Sequence, residues 1–569
     1  MRARSASTLP FPAVLLAVLL PAACTSVPAS PPAAQAASLS VPAIARPDGE
    51  TPAWWFRAGA IAAHDNGVGR ARARNIILFI GDGMSLPTVA AARIYEGQSQ
   101  GHPGEENRLS FETFPYTALS KTYNTDSQTP DSAGTMSAMI TGVKTRMGML
   151  SVGQDAARGD CAASLKTPVA TALELAEAAG LATGVVTTTR LTHATPGATY
   201  AHTPERGWEN DTELSPGAVA AGCRDIARQF VEFSIGDGID VAMGGGRSNF
   251  RIAGDADPEY PQTTGARLDG RDLIGQWQKK HPEGAYVWNA RQLAALDLAH
   301  TTRLLGLFEP EHMQFEHDRA QDGAGEPSLA EMTRAAIAIL SKNPNGFFLM
   351  VEGGRIDHAH HGGNAFRALT DTVALSDAVR AAAQMTSASD TLIFTTADHS
   401  HTLSFVGYPV RGNPILGKVV GSSDEGEGTH YAMDATGLPF TTLNYSNGPG
   451  YPGATDQQPE GPKRFEHRVS GAQQAHGRPD LTSVDTQAPD YLQEAMFSTR
   501  SETHGGEDVG LWASGPGSQA VHGTIEQNTI FHLLIQSQPS IVRLLCRLGD
   551  CEQGVPVRLP DPASLQSGK

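Results

Sequence analysis

The stretch Asn75-Ile-Ile-Leu-Phe-Ile80, stopped by Gly81-Asp82-Gly83, decides the fold. An apolar run without alternation, ended by a carboxylate between glycines, predicts a strand buried on both faces. Runs of the same kind recur at Gly184–Thr189, Ile239–Met243, Phe347–Val351, Thr391–Thr396 and Val509–Ala513. Helical stretches lie between them at Thr171–Ala179, Leu329–Leu340 and Ala365–Met385, and another is predicted from Pro52 to about Arg70. Buried strands alternating with helices predict an α/β protein with a large, mainly parallel sheet flanked by helices on both faces. Ligands of such sheets collect beyond the carboxyl ends of the strands, and there the sequence sets Asp82, Glu352 and Asp398-His399. Between about Val406 and Arg500 the apolar runs thin out and Gly, Pro, Asn, Gln and Asp dominate, which predicts an inserted, crown-like cap.

The chain has 569 residues, 40% hydrophobic and 18% charged, with 60 Gly and 37 Pro. That composition excludes disordered, collagen-like and small disulfide-rich chains. At about 150 residues per domain, the length suits several domains or one large α/β domain with insertions. A formal net charge of −17 argues against a nucleic-acid or anionic-membrane surface, which needs clustered positive charge. An anionic ligand must then be held by local cations or by metal.

Phe11–Ala23 is apolar, preceded by Arg2 and Arg4 and closed by small residues, the layout of an export signal. It is too short to span a bilayer. Residues 25–51 are rich in Ala, Ser and Pro and read as a spacer. The expected order is a signal over 1–24, a flexible linker over 25–51 and one folded domain over 52–569 with an insertion at about 406–500. Leu20-Pro21-Ala22-Ala23-Cys24 also resembles a bacterial lipoprotein signal, with Pro21 where Leu is preferred. Lipid anchorage at Cys24 and simple secretion both stay open. With Cys24 set aside four cysteines remain, an even count that suits an oxidising compartment. Cys546 and Cys551 could close a small loop, leaving Cys161 to pair with Cys223; buried free thiols are the alternative.

Glu352-Gly-Gly-Arg-Ile-Asp357-His-Ala-His-His361 sets two carboxylates and three imidazoles directly after a buried strand. Asp357 and His361, four apart, share one face of a helical turn, where a carboxylate and an imidazole suit Zn²⁺. Asp398-His399-Ser-His401 ends another predicted strand, and His504 in Glu502-Thr-His504-Gly-Gly-Glu-Asp508 stands just before the last. Together these sets offer ligands for more than one metal, the arrangement that clamps attacking and leaving oxygens in an in-line phosphoryl displacement. A nucleophile is offered by Ser132. Pro130-Asp131-Ser132 heads a small-residue helix, whose N-terminus favours phosphate. An Asp-Ser pair at a helix start is otherwise an N-cap, but with metal ligands elsewhere the nucleophile is the stronger reading, because Zn²⁺ can lower a hydroxyl pKa without a His base.

Asn75-Ile-Ile-Leu-Phe-Ile-Gly-Asp82-Gly-Met84, Pro130-Asp-Ser132-Ala-Gly-Thr135, Val351-Glu352-Gly-Gly-Arg-Ile-Asp357-His-Ala-His-His361, Thr396-Ala-Asp398-His399-Ser-His401 and Thr503-His504-Gly-Gly-Glu-Asp-Val509 resemble the alkaline phosphatases. The resemblance runs from about Trp54 to Cys551. Gly306-Leu-Phe-Glu-Pro310 and Asn447-Gly-Pro-Gly-Tyr451 make it closer to the animal type than to the enterobacterial one. It implies metal-dependent hydrolysis of phosphate monoesters at alkaline pH through a phosphoserine on Ser132. It implies a first zinc on Asp357, His361 and His504, a second on Asp82, Asp398 and His399, and Mg²⁺ on Asp82, Thr195 and Glu352. Arg206, eleven residues after Thr195, matches the guanidinium that forks onto two phosphate oxygens; without the resemblance it reads as a surface ion pair with Glu205 or Glu209. His193 stands where the enterobacterial type has Asp, which implies an imidazole reaching Mg²⁺ through its water. A Ca²⁺ site is implied at Glu259, the Phe308 carbonyl, Glu309 and Glu326, the last one methylene longer than the family's Asp, a variation Ca²⁺ tolerates.

The Cys161–Cys223 and Cys546–Cys551 pairings and a homodimer also fit the resemblance. The tail from Val557 to Lys569 is polar, so no glycolipid anchor is expected, and a bacterial periplasmic enzyme or lipoprotein is the better reading. Two other readings stay open. One is a phosphodiesterase or sulfatase of the same superfamily, which Arg206 disfavours by its fit to a dianionic terminal phosphate. The other is a non-catalytic exported metal- or phosphate-binding protein, which the complete set of nucleophile, clamp and ligands disfavours.

Overall fold

The computed structural model describes residues 49–421 and 430–565. The signal, Cys24 and nearly all of the linker expected from the sequence lie outside the described residues. In chain order the strands are β1 Asn75–Gly81, β2 Tyr116–Lys121, β3 Ala182–Arg190, β4 Val241–Gly245, β5 Ala285–Val287, β6 Leu304–Leu307, β7 Phe347–Gly353 and β8 Thr391–Ala397, then the short β9 Ser400–His401, β10 Leu403–Phe405, β11 Leu443–Asn447, β12 Ala495–Phe497 and β13 His504–Gly505, then β14 Val509–Ser514 and β15 Thr524–Glu526, and finally the short pair β16 Cys551–Glu552 and β17 Val555–Pro556. Ten of them form one sheet in the order β15-β2-β14-β8-β1-β7-β3-β4-β6-β5.

From β8 across to β5 every pairing is parallel. β1, β7 and β8 are buried along their whole length, as their unbroken apolar runs predict. Alternation survives inside β1: Ile76, Leu78 and Ile80 join the core on one face with Phe531 and Leu534, whereas Ile77 and Phe79 join the core on the other with Ile337 and Leu375. The helices Leu329–Leu340 and Ala365–Met385 therefore cover the second face and Thr529–Ser537 the first. Ser328 caps Leu329–Leu340 in a capping box with Glu331, which fixes where that helix starts. The predicted N-terminal helix runs from Pro52 to Asp65, with a separate 3₁₀ turn at Val68–Arg70.

The run Val509–Ala513, which reads like the parallel strands, lies antiparallel to both β8 and β2. Connectivity explains this. β9 and β13 pair antiparallel, His401 opposite His504, and continue into β8 and β14, so all four belong to one long hairpin. The segment 406–500 is an excursion from the end of that hairpin, and it carries no helix among its described residues. Its strands β11 and β12 form a sheet with β10, and two lysines are buried within the segment. Lys418 Nζ donates to the carbonyls of Leu481, Thr482 and Val484 at 2.9, 3.3 and 2.8 Å. Lys463 Nζ donates to those of Pro452, Pro459 and Gly461.

Disulfides join Cys161 to Cys223 and Cys546 to Cys551. No helix among the described residues is long and apolar enough to cross a membrane.

Candidate metal centre and nucleophile

The carboxyl ends of the central strands deliver the polar residues to one place. Asp82 follows β1, Glu352 is the second-to-last residue of β7, and the helix Arg355–His361 that follows carries Asp357 and His361. Asp398 and His399 follow β8, His504 opens β13, and Thr195 sits in the short helix Ala194–Gly197 after β3. Ser132 begins the helix Ser132–Thr141, capped by Asp131. Gly83 lets the first loop close on this cluster: its φ is +68°, and a Cβ there would fall 2.3 Å from the His401 ring.

Three groups of ligand atoms result. In the first, the Nε2 atoms of His361 and His504 each lie 3.4 Å from Asp357 Oδ1 and 3.1 Å from each other. In the second, His399 Nε2 is 3.3 Å from both Asp82 Oδ1 and Asp398 Oδ2. The rings of His399 and His504 stack at 3.6 Å, so the two groups adjoin. The third gathers Asp82, Glu352 and His193, with ligand atoms within 4.8 Å of one another. Ser132, 2% exposed, places its Oγ 3.1 Å from His399 Nε2 and 3.4 Å from Asp82 Oδ1.

Two observations bear on whether cations fit here. Each of the three imidazoles turns its Nδ1 to a backbone carbonyl: His361 to Glu502 at 2.6 Å, His504 to Pro130 at 2.8 Å and His399 to Ser400 at 3.2 Å. A carbonyl only accepts, so the proton is fixed on Nδ1 and the Nε2 lone pair faces inward, free to ligate. Burial also lowers the pKa of His361 and His399 and keeps them neutral. The second observation is three buried oxygens without a hydrogen-bond partner: Asp82 Oδ2, Glu352 Oε1 and Thr195 Oγ1. Asp82 is raised well above the carboxylate range by burial and then by the charges of Asp398, Asp357 and Glu352. Burial likewise lifts Glu352 to about 7. Orphaned oxygens and crowded carboxylates are what divalent cations satisfy. Asp357 goes the other way: burial would raise it, but His361, His401 and His504 hold it well below its usual range.

Arg206 pairs with neither Glu205 nor Glu209, which Arg158 and Arg190 hold instead. Its Nη1 donates to Asp131 Oδ2 and its Nη2 to His193 Nε2, both at 3.1 Å. Asp131 therefore serves both the serine helix and the guanidinium, a double role its sequence position does not display.

A separate acidic group lies away from this centre. Glu259, Glu309 and Asp322 bring ligand atoms within 4.8 Å, and burial lifts Glu259 and Glu309 to about 7. Phe308 is buried beside Glu309 at the end of β6. Glu326, implied by the resemblance, lies outside that triple: both of its oxygens accept from Gln314 N, at 3.0 and 3.2 Å, and burial lifts it to about 9. Asp322, which the sequence reading passes over, takes part instead.

Among known proteins, the model of the family described as alkaline phosphatase matches residues 73–538. The alkaline phosphatase of Gadus morhua is 45% identical over 468 residues, covering 81% of this chain and 91% of that one. The tissue-nonspecific isozyme of Homo sapiens is 43% identical, covering 81% and 83%. Of solved structures, the Thermus thermophilus alkaline phosphatase is similar with a TM-score of 0.57 at 25% identity, covering 84% of this chain and 93% of that one. The alkaline phosphatase of the Antarctic bacterium TAB5 has the same fold, with a TM-score of 0.54 at 21% identity over 82% and 99%.

Proposed function

The chain belongs to the alkaline phosphatase family and hydrolyses phosphate monoesters, and from that premise we propose that Ser132 is its nucleophile, Arg206 its phosphate clamp and the three ligand groups its metal sites. Asp357, His361 and His504 would hold one zinc, and Asp82, Asp398 and His399 a second, since mixed imidazole and carboxylate donors suit that ion. Asp82, Thr195 and Glu352 offer oxygen alone and suit Mg²⁺, with His193 beyond them. Bound there, divalent cations supply Lewis acidity, lowering the pKa of an attacking hydroxyl and neutralising charge on departing and equatorial oxygens.

The rest is done by the chain. Ser132 Oγ, at the amino end of its helix, forms the bond to phosphorus while the ester oxygen opposite leaves, and water later cleaves the phosphoserine and frees phosphate. Arg206, oriented by Asp131, meets two phosphate oxygens with parallel N–H bonds. The three imidazoles keep their protons on Nδ1 and so turn their Nε2 lone pairs towards the site.

The supporting observation is Ser132 Oγ at 3.1 Å from His399 Nε2 and 3.4 Å from Asp82 Oδ1. Turnover of p-nitrophenyl phosphate by Ser132→Ala, with metal content checked, tests it. A loss of at least about 10³-fold is expected, and full turnover would remove the nucleophile from the scheme. Bis-p-nitrophenyl phosphate and p-nitrophenyl sulfate, run beside it, should be poorer substrates.

The carboxylates Glu259 and Glu309 with the Phe308 carbonyl suit Ca²⁺, completed by Asp322 or Glu326. Export to an oxidising compartment, as a periplasmic enzyme, a secreted one or a lipoprotein acylated at Cys24, is supported by the two disulfides. A homodimer is our reading of its assembly, checked by sedimentation.

A further inference from the structure

Glu502 stands two residues before His504 and is 1% exposed. A buried carboxylate needs partners, and both of its oxygens have them. Oε1 accepts from Thr402 N at 2.6 Å and from Thr402 Oγ1 at 2.5 Å, and Oε2 lies against His401 Nδ1. His401 in turn sets its Nε2 2.7 Å from Asp357 Oδ1, the oxygen that also faces His361 and His504. The Glu502 main chain reaches the same place. Its carbonyl accepts from His361 Nδ1 at 2.6 Å, and its N–H donates to the His361 carbonyl at 3.0 Å. One residue thus touches two members of the Asp357, His361, His504 group, directly or through one imidazole, and chain continuity ties it to the third.

We propose that Glu502 is the positioning residue of that metal site: its carboxylate holds His401 against Asp357, and its carbonyl fixes the ring orientation and tautomer of His361. The inference rests on reading those three residues as ligands. Glu502 is not itself a ligand on this geometry. His361, His401 and Glu502 bring ligand atoms within 4.8 Å, but both Glu502 oxygens are spent on Thr402 and His401, and His401 is spent on two carboxylates. Its ring cannot slide away towards β1 either, because Gly83 packs directly against it.

Outer partners of this kind are worth about 10- to 100-fold in metal affinity. The test reads metal per chain after dialysis of the holoenzyme against graded chelator, for the wild type, Glu502→Gln, Thr402→Val and His361→Ala. In Glu502→Gln one zinc per chain should leave at about 10- to 100-fold lower chelator while the remaining metal follows the wild-type curve. Thr402→Val removes the hydroxyl bond to Oε1 and leaves the Thr402 N–H in place, so it loosens the carboxylate without touching a ligand, and should shift the same ion in the same direction by less. If His361→Ala keeps every zinc, the ligand reading itself falls. If His361→Ala loses one zinc while Glu502→Gln and Thr402→Val both follow the wild type, only the role of Glu502 falls. Should Glu502→Gln not fold, Thr402→Val decides alone, and an unchanged release curve overturns the proposal.

Discussion

The Arg206 guanidinium is held at both of its terminal nitrogens, one by Asp131 and the other by His193. His193 can accept because burial, and after it the Arg206 charge, keeps it far below its usual pKa and neutral. Burial would raise Asp131, but Arg206 and the N–H groups of Gly134 and Gly148 outweigh it and hold the carboxylate ionised. Lysine preserves the charge but not the two parallel N–H directions. Arg206→Lys is therefore expected to lower kcat/KM for p-nitrophenyl phosphate by about 10- to 100-fold with metal content unchanged, and unaltered kinetics would mean that charge alone suffices. Glu177 shows burial acting away from the site. Burial lifts its carboxyl to about 9 despite a hydrogen bond from Thr183, with Asp240 and Asp237 adding to the rise. The native pKa lies above the unfolded one, so the native state keeps a proton that the unfolded chain gives up. This contribution to stability is full below about 4.5 and declines as pH rises to about 9. Tm measured from pH 5 to 9 should fall less in Glu177→Gln than in the wild type; parallel curves would refute it. The residues legible in the sequence, Ser132 and the proposed ligands near strand ends, stand in a recognisable spacing. The partners of Asp131, His401, Glu502 and Asp322 are not legible there, because each holds or joins residues far off in the chain, as Glu502 holds His401 from 101 positions away.

At the scale of elements, the strands were legible where burial on both faces wrote an unbroken apolar run, as in β1, β7 and β8. The direction of β14 was not, since an apolar run reads the same either way. Its orientation comes from the β9–β13 pairing, whose residues carry metal-ligand chemistry and little strand signal. The cap was legible only as a gap in the pattern, because its buried apolar residues are scattered among polar ones and two lysines are buried with them. Lys418 satisfies three carbonyls at once, and Lys418→Met would leave them bare, at a cost of about 1–3 kcal/mol. The expected result is faster proteolysis within 406–500 and a lower Tm; cleavage at the wild-type rate would show that other donors serve those carbonyls. Tyr445 of β11 also donates to or accepts from His360 Nδ1 at 2.7 Å, so loosening the cap should reach the helix that bears Asp357 and His361 and raise KM as well.

For the whole molecule the governing quantity is negative charge gathered at few points within a chain of net charge −17. Stripped of cations, Asp82, Asp398 and Glu352 face one another under burial, and all three are raised above the ordinary carboxylate range. In the stripped protein their native pKa values exceed the unfolded ones, so the contribution of these three to stability is greatest in acid and declines as pH rises through the raised values. Bound cations reverse the preference by favouring the ionised carboxylates and the neutral imidazoles, and protons compete with them at low pH. The two forms must therefore diverge with pH. Metal at 100 times its Kd adds about 2.7 kcal/mol per site, and that increment grows as the ligands deprotonate. Calorimetry with and without chelator at pH 5, 7 and 9 should show a gap in Tm that is small at pH 5 and widens steadily to pH 9, driven by the fall of the stripped form. A gap of constant size would mean that the carboxylate cluster relaxes when its cations leave, and the three ligand groups would then be assembled by metal binding instead of being built into the fold.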